Sequence, residues 1–552
     1  MAVTFIDSLN RRRRVAEDRL YTRAAERRTN YWIAFALAAS VALMLAARLL
    51  TASVLAHDDA ITILGVTCNQ GRYATSIPAQ HWVSAADWQS YWTLKSPGCF
   101  GTIQTDMAHE DIHPPLYFWL LHAWLMVFGV SVPAALALNF VIVALTAAVI
   151  VKICRLLAVR TGIVCIVGLT WALTMSTRMA ATAVRQYSLL GLFSALLLLL
   201  VVLWFKRDKP AYLVALVPVI TGGMLTQYLF FMPAAVALLL IGVTQFRARR
   251  YRELAILTAG YAVAAGLFVT ANPGFTDSMH RASQQAQSFS WATLPVRIAA
   301  VLAQLVEPFV PLDPAYQFDP VMIAICALTA VIVLPMVVQV ARWALSMRHQ
   351  RPAVPINSES APMLMFLGCS AGVVGFFLLF ISPEHVMRPI YLYFLTPFLF
   401  VGLAVAAQRS ARVLACATTL FAYQFVGVAL ATIFFVLAET PRPAPPIGAD
   451  SAIVLDSDRR GIVPTTLWWV SPGTLTYAAS QNDLLRQFPN LDAVGDRNLY
   501  YVSRIMPGAP YGNNTTKRKK ILQAFADRGY RPHLVGASGA MGGAEVYRLT
   551  RK

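Results

Sequence analysis

Charged residues are scarce in this sequence: Asp, Glu, Lys and Arg together make up 13% of its 552 residues, whereas 57% are hydrophobic. Apolar runs long enough to cross a bilayer, which takes about 20 residues each, recur along the chain. This composition excludes a soluble globular protein and predicts a polytopic membrane protein. The sequence also lacks a GxSxG motif and a P-loop motif, so neither that class of hydrolase nor a P-loop energy module is indicated.

Acidic residues are the scarcer charged class, with 27 Asp and Glu against 46 Lys and Arg, for a formal net charge of +19. In a soluble chain this excess would suggest nucleic acid binding. Here the basic residues form short clusters between apolar runs, as the positive-inside rule describes for cytoplasmic loops, so we expect no nucleic acid partner. The clusters assigned to the cytoplasm are at residues 11–28, 152–160, 206–209, 247–252, 342–351 and 409–412.

The alternation of these clusters with apolar runs predicts about eleven transmembrane helices, with the N-terminus in the cytoplasm and the C-terminus outside. The first run, of about 25 residues, is too long for the apolar core of a signal peptide, so we predict an uncleaved helix. This alternation is consistent only if residues 113–129 do not cross the membrane. We therefore predict that they form an external helix lying along its surface. The predicted spans are 31–56, 134–151, 161–178, 187–205, 211–226, 229–245, 253–271, 319–341, 362–382, 389–407 and 413–438.

Two segments lie outside the membrane in this prediction, a loop at residues 57–133 and a tail at 439–552. The loop is long and rich in aromatic residues, which argues against disorder. The tail opens with the proline-rich linker TPRPAPP and then predicts a small α/β domain, with strands in SAIVLDSD, NLYYVSRI and GAEVYRL and a helix in TTKRKKILQAFADRG. The predicted domains are thus a cytoplasmic basic arm at 1–30, a transmembrane domain at 31–438 and a C-terminal α/β domain at 439–552.

Three motifs carry the functional signal. HDDA at 57–60 follows the first predicted helix, DIHPPLYFWLLHAWLMVFG at 111–129 closes the same loop, and RQYSLL at 185–190 opens a later span. In order and spacing they resemble the polyprenyl-phosphate-dependent GT-C glycosyltransferases, in particular the branch of protein mannosyltransferases and lipid A aminoarabinose transferases. The resemblance covers roughly residues 31–205.

This resemblance implies a GT-C-like fold and an inverting transferase whose site faces the periplasm from a bacterial inner membrane. The implied donor is a sugar on an undecaprenyl-phosphate-type carrier, and the acceptor is a glycan, a lipid or a protein. The sequence departs from the family pattern twice. Asp59 stands where many relatives carry Glu, and Arg185 is followed by Gln186 rather than by an acidic residue. The second departure puts metal use in question, so no cofactor is assigned and a divalent metal ion stays an open alternative.

Asp58 is the candidate catalytic base. An acceptor hydroxyl must lose its proton as it attacks the anomeric carbon, and Asp58 lies at the outer end of the first predicted helix, within reach of a bound lipid. The alternative is a solvated carboxylate at a helix end. Asp59 points elsewhere on any regular backbone, and we expect it to support substrate binding or the structure.

HEDIHPPLYFWLLHAW, at residues 109–124, gathers titratable groups at the start of an apolar run. His109, Asp111 and His113 are compatible with a metal site, but histidine and carboxylate alone define no metal geometry. On the resemblance, Asp111 and His113 line the sugar pocket or hold the loop at its mouth, and the two prolines fix the turn into the next helix. His122 is predicted to be a core or interfacial histidine with satisfied hydrogen bonds.

Arginines on the outer side are rare, and Arg178, Arg185 and Arg388 are the exceptions. A guanidinium fork matches phosphate geometry, so we predict that Arg185 and Arg388 bind the carrier phosphate, with Tyr187 and Tyr391 beside them. The alternative is that these arginines extend to lipid headgroups without a catalytic role.

Cys68 and Cys99 are the only two of the seven cysteines in the external loop, and they form the predicted disulfide if the loop faces an oxidising compartment. Two unpaired thiols are the alternative. The external segment at 272–291 is either a mobile substrate loop or a plain connector.

Two other classes of function remain open from the sequence. A lipid or solute transporter or flippase would also be polytopic, although such proteins typically have repeated halves and no large external domains. A non-catalytic membrane scaffold would have no need for the combination of Asp58, His113 and Arg185. Convergence of Asp58 and Arg185 on one external site would favour the enzyme.

Overall fold

The computed structural model describes residues 55–285, 290–311, 320–350, 356–380, 389–438, 447–504, 514–538 and 544–552. The predicted basic arm at 1–30 and all but the last two residues of the first predicted span lie outside these ranges.

The first loop folds into five short helices tied by a disulfide. Cys68 and Cys99 are bonded, and their Cα atoms are 6.4 Å apart. The third helix begins with a capping box, in which the side chains of Ser84 and Asp87 accept hydrogen bonds from each other's backbone amides. The helices are α1 (His57–Val66), α2 (Gln70–Ser76), α3 (Ala85–Gln89), α4 (Phe100–Glu110) and α5 (Leu116–Phe128), with a 3-10 turn at Ser90–Trp92.

Helix α5 corresponds to the predicted external helix at 113–129. Its 13 residues rise about 20 Å, which is less than the roughly 30 Å of a bilayer core. It begins after Pro115 and ends at Gly129, whose φ of 78° is a left-handed conformation that glycine adopts without strain. Val127 and Phe128 are exposed near its end, as expected for a helix that touches lipid.

A bundle of long apolar helices follows the loop. Seven helices of the described chain are long and apolar enough to cross a membrane, and α7 with α8, which meet at a 60° bend, count as an eighth if the pair is one broken span. The bundle comprises α6 (Val132–Leu156), α7 (Thr161–Leu173), α8 (Met175–Thr182), α9 (Tyr187–Arg207), α10 (Ala211–Thr226), α11 (Phe231–Arg247), α12 (Tyr251–Ala271), α13 (Phe275–Gln285), α14 (Leu294–Val306), α15 (Pro320–Gln350), α16 (Ala361–Phe380), α17 (Thr396–Arg409) and α18 (Ala411–Ala438). Ten of the eleven predicted spans coincide with helices of this set, and the remaining one is the undescribed first span.

The 3-10 turns at Tyr228–Phe230 and Pro389–Leu395 extend α11 and α17 at their N-terminal ends. Two further turns, at Trp291–Thr293 and Glu307–Phe309, flank α14. The polytopic helical fold class predicted from the apolar runs is therefore confirmed.

Basic helix ends meet at one end of the bundle. The backbone amide of Arg160 donates to Gln408 Oε1 at 2.7 Å, and Arg250 Nη1 lies 2.5 Å from Asp208 Oδ1. Lys206 donates to the carbonyl oxygen of Leu156 and so joins the two pairs. The stretches near residues 160, 208, 250 and 409, all of which carry predicted cytoplasmic charge, therefore lie at the same end. The end of the bundle that carries the C-terminal sheet is called the sheet end below.

The C-terminal residues form an α/β unit on a six-stranded sheet with the order β1-β3-β2-β4-β6-β5. Strand β2 pairs in parallel with β3 and β4, and the remaining pairs are antiparallel. The elements are β1 (Val83–Ser84), β2 (Ser451–Leu455), β3 (Leu475–Ala478), β4 (Asn498–Ser503), β5 (Tyr530–Ser538) and β6 (Ala544–Arg551), with α19 (Val463–Leu467), α20 (Gln481–Arg486) and α21 (Thr515–Asp527) and a 3-10 turn at Leu491–Val494. The three predicted strands and the predicted helix are present as β2, β4, β6 and α21.

Strand β1 belongs to the first loop, so the loop and the tail share one sheet. They also share one apolar core, in which Ile63 and Trp88 of the loop are buried in the same cluster as Ile453 and Val463 of the tail. The loop and the C-terminal domain therefore form a single packed unit over the sheet end.

Candidate active site

The predicted site residues come together from three separate chain segments at the sheet end. Asp58 and Asp59 are in the first turn of α1, where the helix dipole favours negative charge. Asp111 is the extended residue that ends α4, and His113 precedes Pro114, which disfavours helical backbone at that position. Arg185 lies in the short connection between α8 and α9.

Arg185 is the centre of this arrangement and is almost fully buried. Its Nη1 donates to Thr62 Oγ1 at 3.1 Å and to the carbonyl oxygen of Asp58 at 3.5 Å. Its Nη2 lies 3.4 Å from His113 Nε2. Its Nε has no hydrogen-bond partner among the described residues, which leaves one donor of the guanidinium unused.

The charge of Arg185 is stabilised by its surroundings. Burial alone would lower the pKa of Arg185. The neighbouring groups more than offset this and raise the pKa above its usual value, Asp58 most strongly, followed by Tyr187, Asp111 and Tyr391. Arg185 is therefore a fixed cation.

Asp111 and His113 form a close pair beside Arg185. His113 Nδ1 lies 2.5 Å from Asp111 Oδ1, and the backbone amide of Ile112 donates to the same oxygen at 2.7 Å. Burial alone would raise the pKa of Asp111, but His113, Arg185 and the Ile112 amide together lower that pKa well below its usual value. Asp111 therefore stays ionised.

The three acids have different surroundings. The side chain of Asp58 is 33% exposed, and its Oδ1 is 3.1 Å from His57 Nδ1. Asp59 is buried and accepts a hydrogen bond from the backbone amide of Val184 at 2.8 Å, which ties α1 to the segment that carries Arg185. The side chain of Asp111 is only 10% exposed. Asp58 is thus the acid of the three that a substrate can reach.

Tyr187 and Tyr391 lie side by side near Arg185, with ring centroids 5.1 Å apart. Their polar hydroxyl groups extend the site toward the start of α9 and the 3-10 turn before α17. Arg388, the second predicted phosphate ligand, lies outside the described residues.

The candidate metal ligands His109, Asp111 and His113 do not form a three-ligand group. His109 is on α4 and its Nδ1 contacts the carbonyl oxygen of Thr105 on the same helix at 2.9 Å. Across the described ranges, the only His, Cys, Asp and Glu cluster with metal-like spacing is Cys68, Cys99 and His122. The thiols of that cluster are bonded to each other, and His122 is buried with its Nδ1 2.7 Å from the carbonyl oxygen of Val66.

Part of the external segment at 272–291 forms α13, which packs on α4. Arg281 of α13 donates to the carbonyl oxygen of Asp111 at 2.8 Å and to that of Ala108. Gly274 approaches so closely that an added Cβ would lie 2.2 Å from the Ala108 Cβ. This segment therefore supports the backbone that presents Asp111.

The C-terminal domain also reaches the site, which sequence reasoning did not predict. The Tyr73 hydroxyl donates to the carbonyl oxygen of Asp458 at 2.9 Å, and Arg460 Nη2 donates to that of Glu110 at 2.9 Å. Gly461 packs on the ring of His57. No local pattern in the sequence marks these residues, because the contacts depend on how two distant segments fold together.

Comparison with known proteins agrees with the motif analysis. Residues 112–271 match the family model described as dolichyl-phosphate-mannose-protein mannosyltransferase. The matched segment contains His113 and Arg185, and the match confirms the resemblance to the GT-C glycosyltransferases. The chain is thus a polytopic membrane protein whose residues 112–271 are similar to this mannosyltransferase family.

Among curated proteins, no sequence matches this chain. Two solved structures of ArnT from Cupriavidus metallidurans are similar to it. The apo structure is 13% identical with a TM-score of 0.44, covering 83% of this chain and 93% of that chain. The structure bound to undecaprenyl phosphate is 12% identical with a TM-score of 0.46, covering 92% of this chain and 97% of that chain.

Proposed function

We propose that this protein is an inverting membrane glycosyltransferase that moves a sugar from a polyprenyl phosphate carrier to the hydroxyl group of a glycan, lipid or protein. One observation carries the proposal: Asp58, His113 and Arg185, which are far apart in the sequence, meet at the sheet end, and the Asp58 carboxylate there is accessible to substrate. The family description, which names a sugar on a dolichyl phosphate, supports a carrier of this chemical class.

Asp58 is the proposed base. Its carboxylate takes the proton of the acceptor hydroxyl, the oxygen bonds to the anomeric carbon, and the bond from that carbon to the carrier phosphate breaks with its electron pair going to the phosphate. Attack opposite the leaving phosphate inverts the anomeric centre. Asp111 is poorly suited to this role because its lowered pKa makes it a weak proton acceptor.

Arg185 is the proposed partner of the carrier phosphate. Negative charge builds on the phosphate as the bond breaks, and a fixed guanidinium with an unused Nε donor can stabilise that charge without reorganising. Tyr187 and Tyr391 offer further donors beside it, and Arg388 remains a predicted second cation. Asp111 and His113 are proposed to line the sugar pocket and to orient Arg185.

We assign phosphate neutralisation to arginine rather than to a metal ion. Gln186 replaces the acid that a metal site would use, and its buried carboxamide has no hydrogen-bond partner in the described part of the chain. A neutral amide is a weaker ligand for a divalent cation than a carboxylate is.

The proposed location is the bacterial inner membrane, with the sheet end in the periplasm. The basic stretches near residues 160, 208, 250 and 409 meet at the opposite end, which the positive-inside rule places in the cytoplasm. Arg185 lies two residues before the start of α9, so the proposed site is at the helix ends rather than at the bilayer midplane, where transporter sites usually lie.

Mass spectrometry of envelope glycolipids and glycans tests the proposal. A strain without the protein should lose one sugar modification, and the wild-type chain should restore it. Asp58→Asn should lower the rate of transfer by about 100-fold or more, because general-base loss costs that much, while the protein is still inserted in the membrane.

The matched control is Asp496→Asn, which removes an exposed acid of the C-terminal domain and should restore the sugar fully. Full restoration by Asp58→Asn would remove Asp58 from the mechanism. An unchanged set of envelope glycans in the strain without the protein would refute the transferase itself.

A further inference from the structure

His57 lies between the proposed base and the C-terminal domain. On one side, its Nδ1 is 3.1 Å from Asp58 Oδ1. On the other side, the ring packs against the backbone of Gly461, where an added Cβ would lie 2.2 Å from His57 Nε2 and 2.3 Å from Cδ2. Only glycine leaves room for the ring at this place.

The contact with Asp58 identifies which ring atom faces the acid. An ionised carboxylate can only accept hydrogen bonds, so the contact with Asp58 requires a proton on His57 Nδ1. The His57 side chain is 17% exposed, and the ring edge that carries Nε2 packs against Gly461. The donor is therefore directed at the carboxylate.

Gly461 is itself held in place on the loop side. It ends the segment 458–461, which follows β2, and two hydrogen bonds anchor that segment to the first loop. The Tyr73 hydroxyl binds the carbonyl oxygen of Asp458, and Arg460 binds that of Glu110, each at 2.9 Å. Arg460 also lies 3.8 Å from the Glu110 carboxylate. The glycine therefore has a defined position against the ring.

We infer that His57 is a positioning residue that orients the Asp58 carboxylate, and that the C-terminal domain is part of the catalytic site because Gly461 holds His57 in place. This inference rests on the proposed role of Asp58 as the base. An oriented carboxylate matters because displacing a catalytic group by about 1 Å can cost up to about 100-fold in rate.

The test measures the rate at which membranes containing each variant form the glycosylated product that the comparison of envelope glycans identifies. Gly461→Ala should slow transfer by about 10-fold or more, because the new methyl group displaces the His57 ring. Gly101→Ala is the matched control, since an added Cβ there meets nothing within 4 Å, and its rate should equal that of the wild type. Binding of undecaprenyl phosphate, used as the probe, should be unchanged in both variants.

A second pair of variants separates positioning from general packing. Asparagine places an amide nitrogen where His57 Nδ1 lies, without the ring atoms that contact Gly461. His57→Asn should therefore keep the rate within about threefold of the wild type, whereas His57→Ala should lose about 10-fold. Adding Gly461→Ala to His57→Asn should cost less than about twofold, because residues that act through each other are not additive.

Two kinds of outcome would overturn the inference. One is a wild-type rate in Gly461→Ala or in His57→Ala, and the other is an equal loss of rate when Gly461→Ala is added to the wild type and to His57→Asn. Asp58→Asn is measured in the same membranes. A wild-type rate in Asp58→Asn refutes the base itself, whereas its loss together with a wild-type rate in Gly461→Ala refutes only the role of His57 and Gly461.

Discussion

Asp58, Asp59 and Asp111 are equivalent as residue types, and their surroundings separate their roles. For an enzyme, the sequence predicted that Asp58 and Arg185 would meet at one external site, since each lies at the outer end of a predicted span. Their exposures could not be predicted, since consecutive residues on a helix point about 100° apart and the packing around α1 decides which one is buried. Asp59 accepts a hydrogen bond from the Val184 amide, whereas the Asp58 side chain is partly exposed to solvent.

Asp111 gives a prediction at the scale of one residue. Its pKa is lowered in the folded protein, so its ion pairing stabilises the fold above the ordinary carboxyl pKa of about 4, and this stabilisation is lost as the pH falls below that value. Asp111→Asn should lower the melting temperature at pH 7, with a loss of about 3 kcal/mol for a broken buried pair.

Thermal unfolding of wild type and Asp111→Asn at pH 7, 5, 4 and 3 is the measurement. The gap between their melting temperatures should narrow as the pH falls from 5 to 3. A gap of constant size over this range would show that the charge of Asp111 does not stabilise the fold.

At the scale of elements, the long apolar helices were predictable from the sequence, whereas the short helices of the first loop and half of the strands were not. A bilayer requires long apolar helices, so run length and charge alone place them. Strand β1 has two residues, and β5 contains Pro532 and a register shift at Gly536, so neither has the alternating pattern that marks a strand. Such strands form because a partner strand supplies their hydrogen bonds.

The pairing of β1 with β3 can be tested by a cross-link. Val83 lies directly opposite Thr476 across the antiparallel pair, and opposite residues have Cα atoms about 4.5 to 5.5 Å apart, a separation that a disulfide can span. The double variant Val83→Cys/Thr476→Cys should form a disulfide on mild oxidation, detected by non-reducing peptide mapping.

Val83→Cys/Tyr477→Cys is the matched control, since adjacent strand residues point to opposite faces of a sheet. This control variant should not form a disulfide. Equal cross-linking of both pairs, or of neither, would argue against this register.

At the scale of the whole molecule, the first loop and the C-terminal domain act as one body over the bundle. The sequence predicted two separate external segments, because the linker and the loss of apolar character are local signals. The shared sheet and the core that joins Trp88 to Val463 are long-range features that no local signal carries. The domain boundaries at 439–552 stay a prediction from the sequence. Residues of both the first loop and the C-terminal domain contribute to the candidate site.

The central claim, that a polyprenyl phosphate binds at Arg185 beside Asp58, is tested most directly by titrating purified protein in nanodiscs with undecaprenyl phosphate. Arg185→Lys keeps the buried charge but loses the fork, so its Kd should rise about 10-fold, while Asp58→Asn and the exposed control Arg72→Lys should bind as the wild type does. An Arg185→Lys variant with the wild-type Kd would contradict the account.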